Sequence, residues 1–185
     1  MPKTTQKVIF GALAFVFAQS MTHTMAQSQT SAAAATYISN ADFQAALKIP
    51  GPGVDHQLRV VSINNGEYHV GVGIVHRPKA SASPRGGIEH SDITEVYHIL
   101  EGNATLLTGG SLKDIKQVRD ATGPSGPGAQ GSEILNGTSQ KVGPGDVIII
   151  PPNTPHLFTE IMSEEIVYVV VRPDPHKILP VMSLK

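Results

Sequence analysis

Short β-rich runs alternate with turn-forming residues along most of this chain, and this alternation limits what the chain can fold into. The β-rich runs are 58–63, 67–76, 95–100, 104–107, 147–150 and 166–171. Clusters of Gly, Pro, Asn and Ser separate them, and no long amphipathic helix interrupts them. Many short strands with turn signals between them favour a sandwich or a small barrel. We therefore expect an all-β fold.

One short helix and a hairpin are expected near the start of the domain. Ser39 is an N-cap candidate followed by good helix formers, and the Pro- and Gly-rich run at 50–53 ends the helical pattern. Residues 58–63 and 67–76 then flank Asn64-Asn65-Gly66. Because Asn and Gly tolerate positive φ, this arrangement predicts two antiparallel strands joined by a tight turn.

The first 26 residues have the layout of a secretory signal peptide. Lys3 and Lys7 provide a positive start, residues 8–18 form an uninterrupted apolar run, and a small residue, Ala26, marks the cleavage site. The apolar run is too short to span a membrane; an uncleaved N-terminal anchor is the alternative. We expect a secreted or periplasmic protein with no membrane association after cleavage. Bacterial and eukaryotic secretion both stay open.

The rest of the chain has the size of one domain. Residues 27–38, rich in Ser and Ala, have the composition of a flexible leader, and residues 39–185 are expected to form a single domain. Within that domain, an insert rich in Gly and Pro covers roughly 109–141. Structureless stretches of this length are uncommon in compact domains, so we expect either a mobile loop or a functional lid.

Charge and cysteine content exclude several classes of function. Without Lys3 and Lys7 the chain has 12 basic residues against the 15 acidic residues of the full sequence, a net charge of about -3. No basic patch indicates a nucleic-acid partner. The chain has no cysteine, so an exported domain would be held together by burial rather than by disulfides. Thiolate zinc sites and nucleophilic cysteine chemistry are excluded, and a metal site must use nitrogen and oxygen ligands.

His90, Glu95 and His156 are the strongest candidates for such a site. Glu95 follows His90 closely, whereas His156 comes much later, after an apolar strand and a proline-rich turn. Two imidazoles and one carboxylate on one side of a borderline divalent ion leave positions open for substrate or oxygen. Taken singly, each residue has an ordinary interpretation, as a hydrogen-bonded histidine or a solvated strand carboxylate. Together they favour a small metalloenzyme.

Four neighbouring residues are secondary candidates. Tyr97 shares a strand face with Glu95, so its phenol could donate to a bound anion, or it could be an ordinary core tyrosine. His98 falls on the opposite face and is expected to point outward or into a subunit contact. His76 ends the second strand of the hairpin and could enter the cavity as a fourth ligand or as an acid/base. Arg85 could meet a substrate carboxylate.

Two stretches of the sequence, residues 87–102 and 145–156, contain His90, Glu95 and His156. The first stretch resembles the first motif of the cupin family, in its single-domain type. That motif has the form G-x5-H-x-H-x4-E-x6-G, and its second histidine, its glutamate and its closing glycine match His90, Glu95 and Gly102. Ile88 stands where the family has its first metal histidine. The resemblance therefore implies a ligand set of at most three, with Ile88 as apolar wall.

The second stretch resembles the second cupin motif, G-x5-P-x-G-x2-H-x3-N. Gly145, Pro151 and His156 match in register. Asn153 replaces the glycine of the motif, which is a mild change because Asn tolerates the left-handed conformation. Glu160 replaces the closing asparagine, which is not a ligand position.

The resemblance implies a small antiparallel jelly-roll β-barrel in which His90, Glu95 and His156 hold one divalent iron, manganese or zinc ion. It implies a metal-dependent enzyme acting on a small oxygen-bearing substrate, of the dioxygenase, isomerase or lyase type; the fold does not choose among these reactions. We take His76 and Tyr97 as the candidate catalytic residues. A homodimer is expected because a neighbouring subunit often covers cupin barrel edges. The alternative is a non-catalytic binding or storage-type cupin with a degenerate metal site.

Overall fold

The computed structural model describes residues 34–51, 54–83, 85–118 and 125–182, and strands dominate these residues. The helix α1 spans Asn40–Leu47. The strands are β1 Val54–Ile63, β2 Tyr68–Pro78, β3 Ile88–His90, β4 Glu95–Glu101, β5 Ala104–Thr108, β6 Ser111–Lys113, β7 Lys116–Val118, β8 Gly128–Gln130, β9 Glu133–Leu135, β10 Thr138–Val142, β11 Val147–Ile150, β12 His156–Ile161 and β13 Glu165–Asp174. Short 3₁₀ turns lie at Asn64–Gly66 and Lys79–Ser81.

Two antiparallel sheets form the body of the fold. The five-stranded sheet has the order β1-β2-β13-β4-β11, and the six-stranded sheet has the order β10-β5-β12-β3-β8-β7. Side chains from both sheets meet in the main core, which comprises Val75, Tyr97, Ile99, Ala104, Leu106, Val142, Ile150, Phe158, Ile161, Ile166, Tyr168 and Val170. The prediction of an all-β antiparallel fold with a short N-terminal helix is confirmed, and the arrangement is consistent with a jelly-roll barrel.

Strand β13 is apolar on both faces because both faces are covered. Ile166, Tyr168 and Val170 point into the main core. Val167 and Val169 lie on the other face, in a second apolar cluster with Leu58, Ile74 and Ala46 of α1. Successive side chains on a strand point to opposite faces, so a strand covered on both sides has a nearly continuous apolar sequence. This alternation decides which residues of β2, β4 and β13 reach the barrel interior.

Helix α1 begins at the predicted cap and covers the outer face of the five-stranded sheet. The Ser39 hydroxyl accepts a hydrogen bond from the Asp42 backbone N–H at 3.2 Å, and the Asp42 carboxylate accepts one from the Ser39 N–H at 2.7 Å. This capping box stabilises the helix start by about 1 kcal/mol. Ala46 packs against Leu58 and Ile74. The helix therefore contacts the outside of the barrel, away from its interior.

The predicted hairpin is formed by β1 and β2. Their pairing runs antiparallel from Ile63 opposite Tyr68, with a bulge between Gln57 and Arg59. Asn65 adopts φ 57° in the turn, a conformation that Asn accepts more readily than other non-glycine residues. The hairpin prediction is confirmed, and β2 becomes a central strand of the sheet.

The expectation that the insert at 109–141 has no structure of its own is wrong for its described part. Strands β6 to β10 lie there, and Leu112, Ala129 and Ile134 form a small buried cluster. Strand β8 pairs with β3. Strands of three residues are too short to show a periodicity in the sequence. Residues 119–124 lie outside the described residues.

The N-terminal predictions fall outside the described residues. Residues 1–33, which include the predicted signal peptide at 1–26 and most of the leader at 27–38, are not among them. Both stay predictions. Within the described ranges, no helix combines the length and the apolar character needed to cross a membrane.

Candidate metal centre

Three strands bring His90, Glu95 and His156 together inside the barrel. His90 ends β3, Glu95 begins β4 and His156 begins β12. Strands β3 and β12 pair directly, with Ile88 opposite His156. One ligand atom from each of the three side chains lies within 4.8 Å of the other two. The structure therefore contains the candidate His-Glu-His cluster that the spacing indicated.

Gly102 of the first motif and Asn153 of the second lie in turns and fix the loops around the cluster. Gly102 adopts φ +82°, and a Cβ there would collide with the Glu165 backbone carbonyl, so this turn requires glycine. Asn153 adopts φ 57°, and its N–H donates to the His90 carbonyl oxygen at 2.7 Å. The loop before His156 is thereby tied to the strand that carries His90.

The distances within the cluster suit a shared ion after a small contraction. His90 Nε2 lies 3.5 Å and His156 Nε2 lies 3.6 Å from Glu95 Oε2. Ligand atoms at about 2.0–2.2 Å from an ion stand roughly 2.8–3.1 Å apart at octahedral angles and roughly 3.3–3.6 Å apart at tetrahedral angles. The His90 and His156 rings are tilted by 53°, with centroids 5.3 Å apart. Since the three donor atoms all lie within 4.8 Å of one another, an inward shift of the imidazoles would bring them to one ion.

The protonation state of His156 is the clearest sign of a cation site. Its Nδ1 lies 3.0 Å from the Thr154 carbonyl oxygen, which can only accept a hydrogen bond. The proton of the neutral ring is therefore on Nδ1, and Nε2 presents a lone pair. This Nε2 is buried and has no hydrogen-bond partner among the described residues. It faces a carboxylate oxygen, so two electron-rich atoms meet where a cation would join them.

Glu95 offers one oxygen to the cluster because its other oxygen is taken. Arg172 Nε donates to Oε1 at 2.9 Å, and the Tyr97 hydroxyl donates to Oε2 at 2.7 Å. Burial by itself would raise the pKa of Glu95, but the Arg172 guanidinium and the Tyr97 hydrogen bond help to lower it to about 2. Glu95 is therefore ionised and presents Oε2 alone to the imidazoles.

Arg172 is a structural partner of the site that the sequence reasoning missed. It is 1% exposed. Its terminal nitrogens reach the Asp55 carboxylate at 3.1 and 2.6 Å and the Gln57 side-chain oxygen at 2.8 Å. A signal was available, because Arg172 interrupts an apolar strand two positions after the inward-facing Val170. A charge at an inward position needs a buried partner.

Both imidazoles are neutral at neutral pH. Burial lowers the pKa of His90 to about 4, against the opposing attraction of Glu95. Burial likewise lowers the pKa of His156. Metal binding requires deprotonated ligands. The two rings are therefore ready to donate their lone pairs without first losing a proton.

A cavity of about 150 Å³ opens beside the cluster. It is lined by Arg77, Ile88, Tyr97, His156, Leu157, Phe158 and Tyr168. Ile88 forms apolar wall, as expected from the position where the family pattern has a histidine. Since His156 and Tyr97 line the cavity, a molecule bound there would contact the cluster directly.

Strand alternation decides which of the secondary candidates reach the cluster and which face outward. Tyr97 joins the cluster through its hydrogen bond to Glu95. His98 is exposed, as predicted. His76 does not line the cavity: its Nδ1 lies 3.2 Å from Glu165 Oε2 in an exposed contact, and Arg77 takes the inward position next to it. A catalytic role for His76 stays a prediction. Arg85 is exposed and lies outside the cavity lining.

The fold and the cluster together define an antiparallel double-sheet protein with a buried nitrogen- and oxygen-donor site suited to one divalent ion. No family model matches the chain, and no curated protein matches it. Among solved structures, it is similar to a cupin protein from Bacteroides fragilis at 15% identity and a TM-score of 0.37, covering 61% of this chain and 72% of that one.

Two further similar structures are enzymes. A DMSP lyase from Ruegeria pomeroyi matches at 19% identity and a TM-score of 0.38, over 67% of this chain and 51% of the lyase. A mutant oxalate decarboxylase from Bacillus subtilis matches at 14% identity and a TM-score of 0.42, over 69% of this chain and 27% of the decarboxylase. This chain thus spans about half of the first enzyme and about a quarter of the second. Likenesses this weak carry no argument about function.

Proposed function

We propose that this protein is a secreted, cupin-type, metal-dependent enzyme that acts on a small oxygen-bearing substrate, of the dioxygenase, isomerase or lyase type. The observation that carries this proposal is the buried lone pair of His156 Nε2, which faces the ionised Glu95 Oε2 at 3.6 Å. His90, Glu95 and His156 would hold the ion. When bound, iron(II), manganese or zinc would supply Lewis-acid activation of a substrate hydroxyl, carbonyl or carboxylate.

The side chains around the cluster orient its donors. The Thr154 carbonyl fixes the His156 tautomer, and Arg172 holds Glu95 so that only Oε2 faces inward. Such outer partners set ligand direction and basicity, and their loss commonly weakens metal binding by about 10–100-fold. The donors are therefore held in position before an ion arrives.

Tyr97 is the candidate catalytic residue in this arrangement. Its hydroxyl stands between Glu95 and the cavity, and burial raises its pKa well above the usual value. The phenol therefore keeps its proton at neutral pH. Because its one O–H donates to Glu95, its oxygen accepts a hydrogen bond from a bound molecule in this arrangement, and it can donate to a substrate oxygen only by releasing Glu95. Ile88, Leu157 and Phe158 line the same space with apolar surface.

The alternative candidate is a binding module without turnover. Ile88 removes a family ligand, and Arg172 and Tyr97 already satisfy Glu95 within the chain. A protein of this kind would bind a small ligand in the cavity and carry little or no metal.

Metal content separates the two candidates. Protein purified without added metal is soaked in iron(II), manganese or zinc, dialysed, and analysed for its elements. We expect about one equivalent per chain for the wild type and less than about a tenth for His156→Gln. His98→Gln, on an exposed face, is the matched control and should bind as the wild type does. Less than a tenth of an equivalent in the wild type would favour the binding module, and unchanged metal in His156→Gln would show that the ligands are wrong.

The proposed secretion follows from residues 1–26 and is tested by expressing the full chain in a bacterium. We expect the mature protein in the periplasmic fraction, with an N-terminus at Gln27. Full-length protein retained in the cytoplasm would contradict the signal peptide.

We also propose a homodimer that uses the edge of the five-stranded sheet. Strand β11 is the last strand of that sheet, and its Val147 and Ile149 are 61% and 67% exposed. Exposed apolar edge strands favour pairing with another chain. Light scattering should give a dimer at micromolar concentration and a monomer for Ile149→Lys. A monomeric wild type would contradict the proposal.

A further inference from the structure

Arg77 is the permanently charged side chain among the cavity lining residues. Its direction follows from the strand. Val75 belongs to the main core, so Arg77, two residues further along β2, lies on the same inward face, whereas His76 lies on the outer face. The guanidinium thus shares one cavity with Tyr97 and His156.

Arg77 has fewer partners than a partly buried guanidinium usually has. Its Nε donates to the Tyr168 hydroxyl at 3.1 Å. Among the described residues, it makes no ion pair, and its two terminal nitrogens make no hydrogen bond. A guanidinium has five N–H donors in a planar fork that matches the two oxygens of a carboxylate. Its free edge is therefore a ready-made receptor for a planar anion.

The charges around the cavity also favour an anion. Arg172 is paired with Glu95 and Asp55, and together with Arg77 these groups carry two positive and two negative charges. A divalent ion at the cluster would leave two positive charges uncompensated. Positive charge in a partly closed, low-dielectric cavity attracts negative ligands strongly.

We propose that Arg77 binds a carboxylate group of the substrate, which makes a small carboxylic acid the substrate class. This inference rests on the proposed function for the ion beside Arg77, but Arg77 itself is not a metal ligand. The cavity volume of about 150 Å³ is the size of an engineered cavity that holds benzene, so the enclosed part of the ligand has about six non-hydrogen atoms. A molecule of this size reaches from the Arg77 fork to the side of the cluster lined by His156.

Calorimetric titration with matched acids and amides tests this assignment. Acetate, glycolate and malonate are titrated into zinc-loaded protein and compared with acetamide, glycolamide and malonamide, which have similar shapes and no charge. We expect the wild type to bind at least one of the acids more than about ten-fold tighter than its amide. Arg77→Met should weaken acid binding by about ten- to hundred-fold and leave amide binding unchanged.

Two further variants control the interpretation. Arg85→Met removes an exposed arginine and should bind acids as the wild type does. Arg77→Lys keeps the charge and loses the fork, so its affinity should lie between those of the wild type and Arg77→Met. Thermal melting of each variant shows whether it is folded. If Arg77→Met is unfolded, the Arg77→Lys series decides.

Failure of the inference and failure of the proposed function are distinguishable. If the protein binds zinc but shows no preference for acids, or if the preference survives in Arg77→Met and Arg77→Lys, the Arg77 assignment is overturned and the metal site stands. If neither zinc, manganese nor iron(II) binds, the proposed function fails. The same titrations on metal-free protein then decide the assignment, and an acid preference lost in Arg77→Met supports it.

Discussion

Two arginines point into the barrel from the paired strands β2 and β13, and their surroundings differ. Arg172 is 1% exposed, and its fork is filled by Asp55 while its Nε holds Glu95. Arg77 is partly buried and has the Tyr168 hydroxyl as its hydrogen-bond partner among the described residues. The chain supplies counter-charges for the first arginine and leaves the second open to the cavity. The same residue type therefore stabilises the folded structure in one place and, in our proposal, binds a ligand in the other.

The largest effect on stability is expected from replacing Arg172, the arginine that is paired with Glu95 and Asp55. Arg172→Met leaves the buried Glu95 carboxylate without its counter-charge, and we expect a loss of about 3–5 kcal/mol in the free energy of unfolding. Urea denaturation of metal-free protein measures it. Arg77→Met is the matched variant on the neighbouring strand. A loss below about 1 kcal/mol in Arg172→Met would show that the two arginines do not differ in this way.

Acid pH should lower the free energy of unfolding by a smaller amount, through His90 of the candidate metal centre. The folded pKa of His90, about 4, lies below the ordinary 6.5, so between these values the unfolded chain binds a proton that the folded one does not. Stability of the metal-free protein therefore falls as pH drops from about 6.5 to 4, by up to about 3 kcal/mol. Glu95, with a folded pKa of about 2 against 4.5, loses its contribution as pH falls from about 4.5 to 2, mostly below that window.

Denaturation curves at several pH values measure this dependence. His90→Gln is the control, because it removes one titrating group and should make the fall shallower in this window, while His156, whose pKa is also lowered by burial, still contributes. A stability that stays level between pH 6.5 and 4 in the wild type would mean that His90 is not buried as the structure has it.

The two tyrosines next to the arginines should separate structure from ligand binding. Tyr97→Phe removes the hydrogen bond to Glu95 and should cost about 1–2 kcal/mol in metal-free protein. Tyr168→Phe removes the partner of Arg77 Nε and should mainly weaken carboxylate binding. Denaturation and calorimetry on both variants give the comparison. Equal effects of the two substitutions on both measurements would contradict the division.

The smallest effect on stability is expected from replacing Arg77, the arginine that faces the cavity. Arg77→Met removes one hydrogen bond to Tyr168 together with a partly buried charge that has no ionic partner among the described residues, and these effects oppose each other. We expect a change of less than about 1 kcal/mol in the free energy of unfolding. Urea denaturation alongside Arg172→Met provides the measurement. A loss equal to that of Arg172→Met would mean that Arg77 is structural.

The sequence alone was sufficient for the all-β fold, the hairpin and the His-Glu-His cluster. His90, Glu95 and His156 were identifiable because their spacing matched two motifs, and strand alternation correctly separated Tyr97 from His98. The fold and the hairpin needed only local periodicity and turn residues, whereas the cluster also needed the resemblance to two known motifs.

Partners that are distant in sequence could not be predicted in the same way. His76 and Arg77 are adjacent, so an uncertainty of one residue in strand register exchanged the inward position between them. Arg172 pairs with Asp55, which lies at the other end of the domain in sequence. Neither local sequence indicates the identity of the partner. Most strands of the insert have three residues, which is too short for an alternation of apolar and polar residues to be recognised in the sequence.

The pairing of β8 with β3 makes the insert a part of the wall that carries His90. Strand β3 has three residues, and its ladder with β12 consists of Ile88 opposite His156. Removing residues 109–141 would therefore not simply shorten a surface loop. It would leave β3 as an edge strand held by its short pairing with β12 and would release one of the three candidate metal ligands, so the segment with the least regular composition supports the candidate metal centre.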